Sequence, residues 1–179
     1  MKRPDPALTT VRANERASED TRAMAEPGLR RPILIVVGTS LRAEEADRPL
    51  GYFLKQRIEQ AVQAGDGPSR LVYVVADLRW LHDESLQNLP TVSLGGPGVN
   101  LLTHRWVEEL PVAMAVDERF YIQMDPDLDE LHVSLWGMDH DETQVAVGAF
   151  ERRYLPKFLE QCAEGDDEVD EDDEDEDDA

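Results

Sequence analysis

RPILIVVGTS, residues 31–40, sets five consecutive aliphatic side chains, Ile33 to Val37, between a proline and a glycine. No polar residue alternates with them, so both faces of the element have to be covered. Short, β-branched, unbroken runs of this kind belong to strands buried on both sides of a sheet. The run therefore predicts an α/β arrangement, with helices on each face, and makes residues 33–37 the first strand of its core.

Working outward, RPLGYFLKQRIEQAVQAG (48–65) places Leu50, Phe53, Leu54, Arg57, Ile58, Ala61 and Val62 on one helical stripe, with Gly65 as the stop signal. RLVYVVAD (70–77) reads as a second strand, and LRWLHDESLQNLP (78–90) as a short helix or an irregular crossover. TVSLGG (91–96) is the third strand, and 99–110 the next helix. Strand, helix, strand, crossover, strand, helix favours right-handed parallel connections. VAMAV (112–116), RFYIQM (119–124) and ELHVSLWG (130–137) follow as three short strands, the first two able to form an edge hairpin. A last helix runs through DHDETQVAVGAFERRYLPKFLEQC (139–162), where Val147, Phe150, Tyr154 and Phe158 recur at helical spacing. Asp141 with Gln144 resembles a capping box, and Pro156 should bend or restart the helix. The expected fold is a three-layer, Rossmann-like α/β domain with a mainly parallel sheet and an antiparallel edge hairpin.

The two ends differ from this middle. Residues 1–31 carry charges and prolines without an apolar period, the composition of a flexible arm; 32–163 form one domain; 164–179 read as a disordered acidic tail. Thirteen of the 39 acidic side chains lie in that tail, which dominates the formal charge of -21. A run of like charge serves solubility, or engages a basic partner or the chain's own Arg12, Arg16, Arg22, Arg30 and Arg31. The middle is itself acidic, so nucleic acid is disfavoured as a partner. No window reaches the roughly 20 apolar residues of a membrane span, and the N-terminus lacks the apolar core of a secretory signal. Cys162 is the single cysteine. Together these predict a cytoplasmic protein.

Ligands of open parallel sheets bind beyond the carboxyl ends of the strands. Four segments should reach that edge: Gly38, Thr39 and Ser40; Asp77; Gly95, Gly96, Gly98 and Asn100; and Gly137 to Asp141, with Asp139 as its ligand candidate. Glycines let backbone N–H groups approach an anion, and a helix opening near Val99 adds unpaired N–H groups there. The plain alternative is that these glycines only make tight turns. Other chemistry finds less footing. His140 stands among Asp139, Asp141 and Glu142, but adjacent residues at a helix start diverge, and no metal-ligand spacing is present. His132 reads as a surface or satisfied residue, and Trp80, Trp106 and Trp136 as packing. Ser40 lacks the nucleophile-elbow spacing, and the tail disfavours a Cys162 thiolate. Nucleophile, base and orienter are not brought together. The expectation is a non-catalytic domain that binds a small anionic or nucleotide-like ligand, or a protein partner, with the cofactor left open.

Two resemblances bear on this reading. GGPGVN followed by WGMDHDETQVAVGAF resembles the repeated module of archaeal S-layer proteins and type 2 cell-wall-binding repeats, matching at Gly95, Gly96, Pro97, Val99 and Asn100 and at Gly137, Asp139, Thr143 and Ala146. It implies a Rossmann-like, non-catalytic module that packs or binds polymer. VGTSLRAEEADRPLGYFL is similar to the first loop of flavodoxin-like NADPH-dependent FMN reductases, matching at Gly38, Ser40, Leu41 and Arg42. That similarity implies an oxidoreductase whose flavin phosphate sits in this loop.

Overall fold

The computed structural model describes residues 30–65 and 69–173. Most of the expected arm (1–29) and the end of the expected tail (174–179) lie outside the described residues. Six strands, β1 (Ile33–Val37), β2 (Val72–Ala76), β3 (Thr91–Leu94), β4 (Val112–Val116), β5 (Phe120–Met124) and β6 (His132–Gly137), form one sheet in the order β2-β1-β3-β6-β5-β4. β1 pairs in parallel with β2 and β3, and β3 with β6, whereas β5 runs antiparallel to both β6 and β4. The helices are α1 (Leu41–Ala64), α2 (Asp77–His82), α3 (Glu84–Gln87), α4 (Leu101–Glu109), α5 (His140–Arg153) and α6 (Leu155–Asp173).

The unbroken apolar run of β1 is accounted for by two cores. Ile33, Ile35 and Val37 join Leu54, Ile58, Phe150 and Phe158 beneath α1, α5 and α6. Leu34 and Val36 turn the other way, into Trp80, Leu86, Leu102 and Trp106 of α2, α3 and α4. In this second core Trp80 meets Trp106 edge to face at 5.3 Å, and His132 stacks on Trp106 at 4.7 Å. His132 is satisfied by the Gln87 carbonyl at 3.2 Å, and burial pushes its pKa down.

Three local expectations are corrected. α1 starts at Leu41, within the polar stretch, where the Ser40 hydroxyl accepts from the Ala43 N–H. Its buried positions are Ala43, Asp47, Leu50, Gly51, Leu54 and Ile58, while Phe53 and Arg57 face solvent. Gly51 lies directly over Val37, and a residue two further along a helix points to roughly the opposite side, which turns Phe53 outward. In α5 the cap is Asp139, not Asp141: Asp139 Oδ1 accepts from the Glu142 N–H at 2.9 Å, and Glu142 Oε2 accepts from Met138 N. The shift follows from Thr143, which is buried and accepts from the Gly137 N–H at 3.0 Å, fixing the helix two residues earlier. Gln144 then meets His140 and no cap. Pro156 restarts the helix: it sits in the first turn of α6, where its missing N–H is not needed.

The expected boundary at 163/164 falls inside α6, which continues to Asp173. Buried Asp166 pairs with Arg70 at 2.5 Å and accepts from the Arg31 N–H at 3.3 Å, and Arg70 also donates to the Cys162 carbonyl at 2.8 Å. Burial, chiefly, pushes the Cys162 thiol up to about 12. Among the described residues no helix is long and apolar enough to cross a membrane.

Candidate functional site

β1 connects to β2 on one side while β3 lies on its other side, so the chain leaving β1 and the chain leaving β3 diverge at their carboxyl ends. Such a divergence opens a crevice. A cleft of about 380 Å³ occupies this edge, between Arg42, Ala46 and Asp47 of α1, the turn Gly96–Val99, and Trp136 to His140 with Thr143 at the start of α5.

Several residues expected at a ligand instead hold the walls. Asn100, fully buried, accepts with Oδ1 from the N–H groups of Leu102 and Thr103 and aims its amide at the Val36 and Leu94 carbonyls and at Ser93 Oγ. Asp77 takes the Leu101 N–H at 2.9 Å on one oxygen and Thr39 Oγ1 and the Leu78 N–H on the other. The first N–H groups of α4 are thus occupied, and a carboxylate already stands at its positive end. Ser40 is engaged as the α1 cap. A side chain at Gly38 would overlap the Val99 carbonyl, so the turn after β3 closes directly onto the end of β1. Gly95 has φ 100°, and a Cβ there would stand 2.6 Å from Asp47 Oδ2. Of the sequence candidates, Gly96, Gly98 and Asp139 line the cleft; Gly38, Asp77, Gly95 and Asn100 are buried and do not line it, and Thr39 and Ser40 are exposed outside it.

Of the remaining lining, Pro97, Val99, Gly137, Met138 and His140 belong to the two segments expected at this edge, whereas Ala46, Asp47 and Trp136 carry no ligand reading in the sequence. Trp136 is stacked on Tyr121 at 4.2 Å, and its Nε1 donates to Gln123 Oε1 at 2.8 Å, so the indole is a fixed flat wall. Asp47 is buried, and desolvation raises its pKa, offset in part by His140 and then Arg42. His140 Nδ1 is enclosed without a hydrogen-bond partner among the described residues, 3.8 Å from Asp47 Oδ1, while its Nε2 lies 2.7 Å from Gln144 Nε2. Asp47 carried no signal because a lone acidic residue in a charged run reads as surface. His140 stands in a segment expected at this edge, but its pairing with Asp47 carried no signal because the two are 93 positions apart in sequence. The two stretches GGPGVN and GMDHDET meet here: Gly96 approaches the Gly137 carbonyl across the β3–β6 pair. Among the described residues no three His, Cys, Asp or Glu side chains gather to hold a metal ion.

No family model matches the chain, and no curated protein matches it either.

Proposed function

We propose that this chain is a non-catalytic α/β module that binds a small nucleotide-like ligand in the cleft at the carboxyl edge of β1, β3 and β6. The observation that carries the reading is the cleft's combination of place and lining. It lies where open α/β sheets accept ligands, and about 380 Å³ falls within the roughly 300–1,000 Å³ of small-molecule pockets. Trp136, Val99, Pro97 and Met138 supply an apolar wall for a flat group. Arg42 hydrogen-bonds to no described residue and supplies a cation for an anionic group. Because Asp77 already occupies the start of α4, that anionic group belongs at Arg42 and not at α4. A larger hollow of about 530 Å³ between α1 and the α5–α6 junction offers less, since the Arg57–Glu151 ion pair on its rim is already satisfied.

A protein partner is favoured by a separate observation. Leu41, Leu78, Leu101 and Met138, at the starts of α1, α2 and α4 and just before α5, are exposed large apolar residues along this same edge. A partner covering them would sit over the cleft.

Thermal-shift measurements with adenosine, adenosine monophosphate, FMN and inorganic phosphate test the ligand reading. A ligand at about 100 times its Kd adds about 2.7 kcal/mol of stability. Adenosine monophosphate should stabilise the protein beyond phosphate alone. Stabilisation by FMN only, with a yellow protein, would favour the flavodoxin-like oxidoreductase instead; no stabilisation by any of the four would remove the ligand reading.

A further inference from the structure

Asp47 is the group in this cleft whose placement the fold leaves unexplained. Its side chain is only 8 % exposed. Among the described residues its one polar side-chain partner is His140, and that approach, 3.8 Å, is longer than a hydrogen bond. A buried carboxyl without hydrogen bonds is costly, and burying a charge costs more still. Yet the surroundings are shaped to admit it: Gly95 adopts a backbone conformation that L-residues avoid, and leaves open the space that the carboxylate fills. An alanine or leucine at this position on the buried stripe of α1 would pack without that cost.

We infer that Asp47 is the selecting group of the cleft, a buried acceptor that takes a hydroxyl donor from the ligand, as the sugar of a ribonucleoside offers. The inference rests on the cleft being a ligand site. An uncharged donor fits better than an ammonium group, because the Arg42 cation already lines the cleft on the same helix as the carboxylate. The narrow exposure suits one oxygen atom and not the edge of a ring. Donation to a carboxylate is roughly twice as strong as a neutral hydrogen bond, so the ligand, and not the folded protein alone, would satisfy the group.

Calorimetric titration of the wild type and Asp47→Asn with adenosine monophosphate and its 2′,3′-dideoxy analogue tests this. In the wild type the dideoxy analogue should bind about tenfold more weakly than adenosine monophosphate. Asp47→Asn should bind the two alike, to within about threefold, having lost most of the preference. The unliganded variant should melt no lower than the wild type, because the substitution removes a buried charge and keeps the shape. A merely structural Asp47 would give the opposite, a lowered melting temperature with the preference intact. If adenosine monophosphate binds but the wild type ignores the missing hydroxyls, or the variant retains the preference, the role of Asp47 is overturned while the cleft stands. If neither compound nor phosphate binds the wild type, the cleft reading falls with it.

Discussion

Replacing Asn100 with alanine removes acceptors for two α4 N–H groups and leaves the Val36 and Leu94 carbonyls without that donor, inside the core. A lost cap alone costs about 0.5–2 kcal/mol, and buried groups left unpaired cost about 1–3 kcal/mol more. Asn100→Ala should therefore lower stability by about 3 kcal/mol in urea unfolding, a loss that a surface cap would not produce. Asp47 behaves in the other sense. Its folded pKa is raised above 3.8 by burial, so the contribution tied to its protonated form is fully present below 3.8 and is lost as pH rises through the folded value. The stability gained by Asp47→Asn should accordingly be larger at pH 7 than at pH 4; a gain that does not change with pH would refute the burial argument. At this scale the sequence was least legible. Asn100 was visible as a polar residue at a helix start, but its five contacts depend on β1 and β3 arriving beside it. Asp47 and His140 acquire their meaning only from each other.

Elements were far more legible, because burial on two sides leaves a periodic trace. The six strands stand where their apolar runs and alternation placed them, including the β4–β5 hairpin. Helix starts were less legible. Asp47 interrupted the apolar stripe of α1 and hid its first turns, and the inward turn of Thr143 moved the α5 cap. Two glycines near the cleft make opposite predictions. Gly98→Ala meets nothing within 4 Å and should change stability by no more than about 0.5 kcal/mol, whereas Gly38→Ala collides with the Val99 carbonyl and should fail to fold or unfold at much lower denaturant. The hairpin gives a third. Asp117 and Glu118 have φ of 50° and 56°, and the Arg119 N–H reaches the Val116 carbonyl, the geometry of a mirror-image β-turn within the three-residue loop 117–119. Because the left-handed conformation costs non-glycine residues about 1–2 kcal/mol, Glu118→Gly should raise the denaturation midpoint by an amount worth about 1 kcal/mol. A lower midpoint would mean that Glu118 contributes a contact that outweighs the strain.

At the scale of the whole molecule, the sheet joins a parallel half to an antiparallel edge, and the cleft lies in the parallel half, on the side opposite the Arg70–Asp166 cluster. That cluster ties the residues before β1 and β2 to α6. Truncation after residue 163 would strip Arg70 of its buried carboxylate, and breaking such a pair costs about 3–5 kcal/mol, read as a lowered urea midpoint. The strand order was not legible from any one segment, since periodicity reports which faces are covered and not which strands are neighbours. The β1–β3 divergence emerged only from the pairing, whereas the carboxyl edge and two of its segments, 95–100 and 137–141, were legible from the strand ends. Amide ¹⁵N–¹H spectra recorded during titration with adenosine monophosphate examine that place directly. Shifts should concentrate at Gly96, Gly98, Met138 and His140, with α6 unmoved. Spectra that do not change, or changes gathered instead at Gln60, Ala61 and Leu159 around the second hollow, would contradict a ligand site at the carboxyl edge of the sheet.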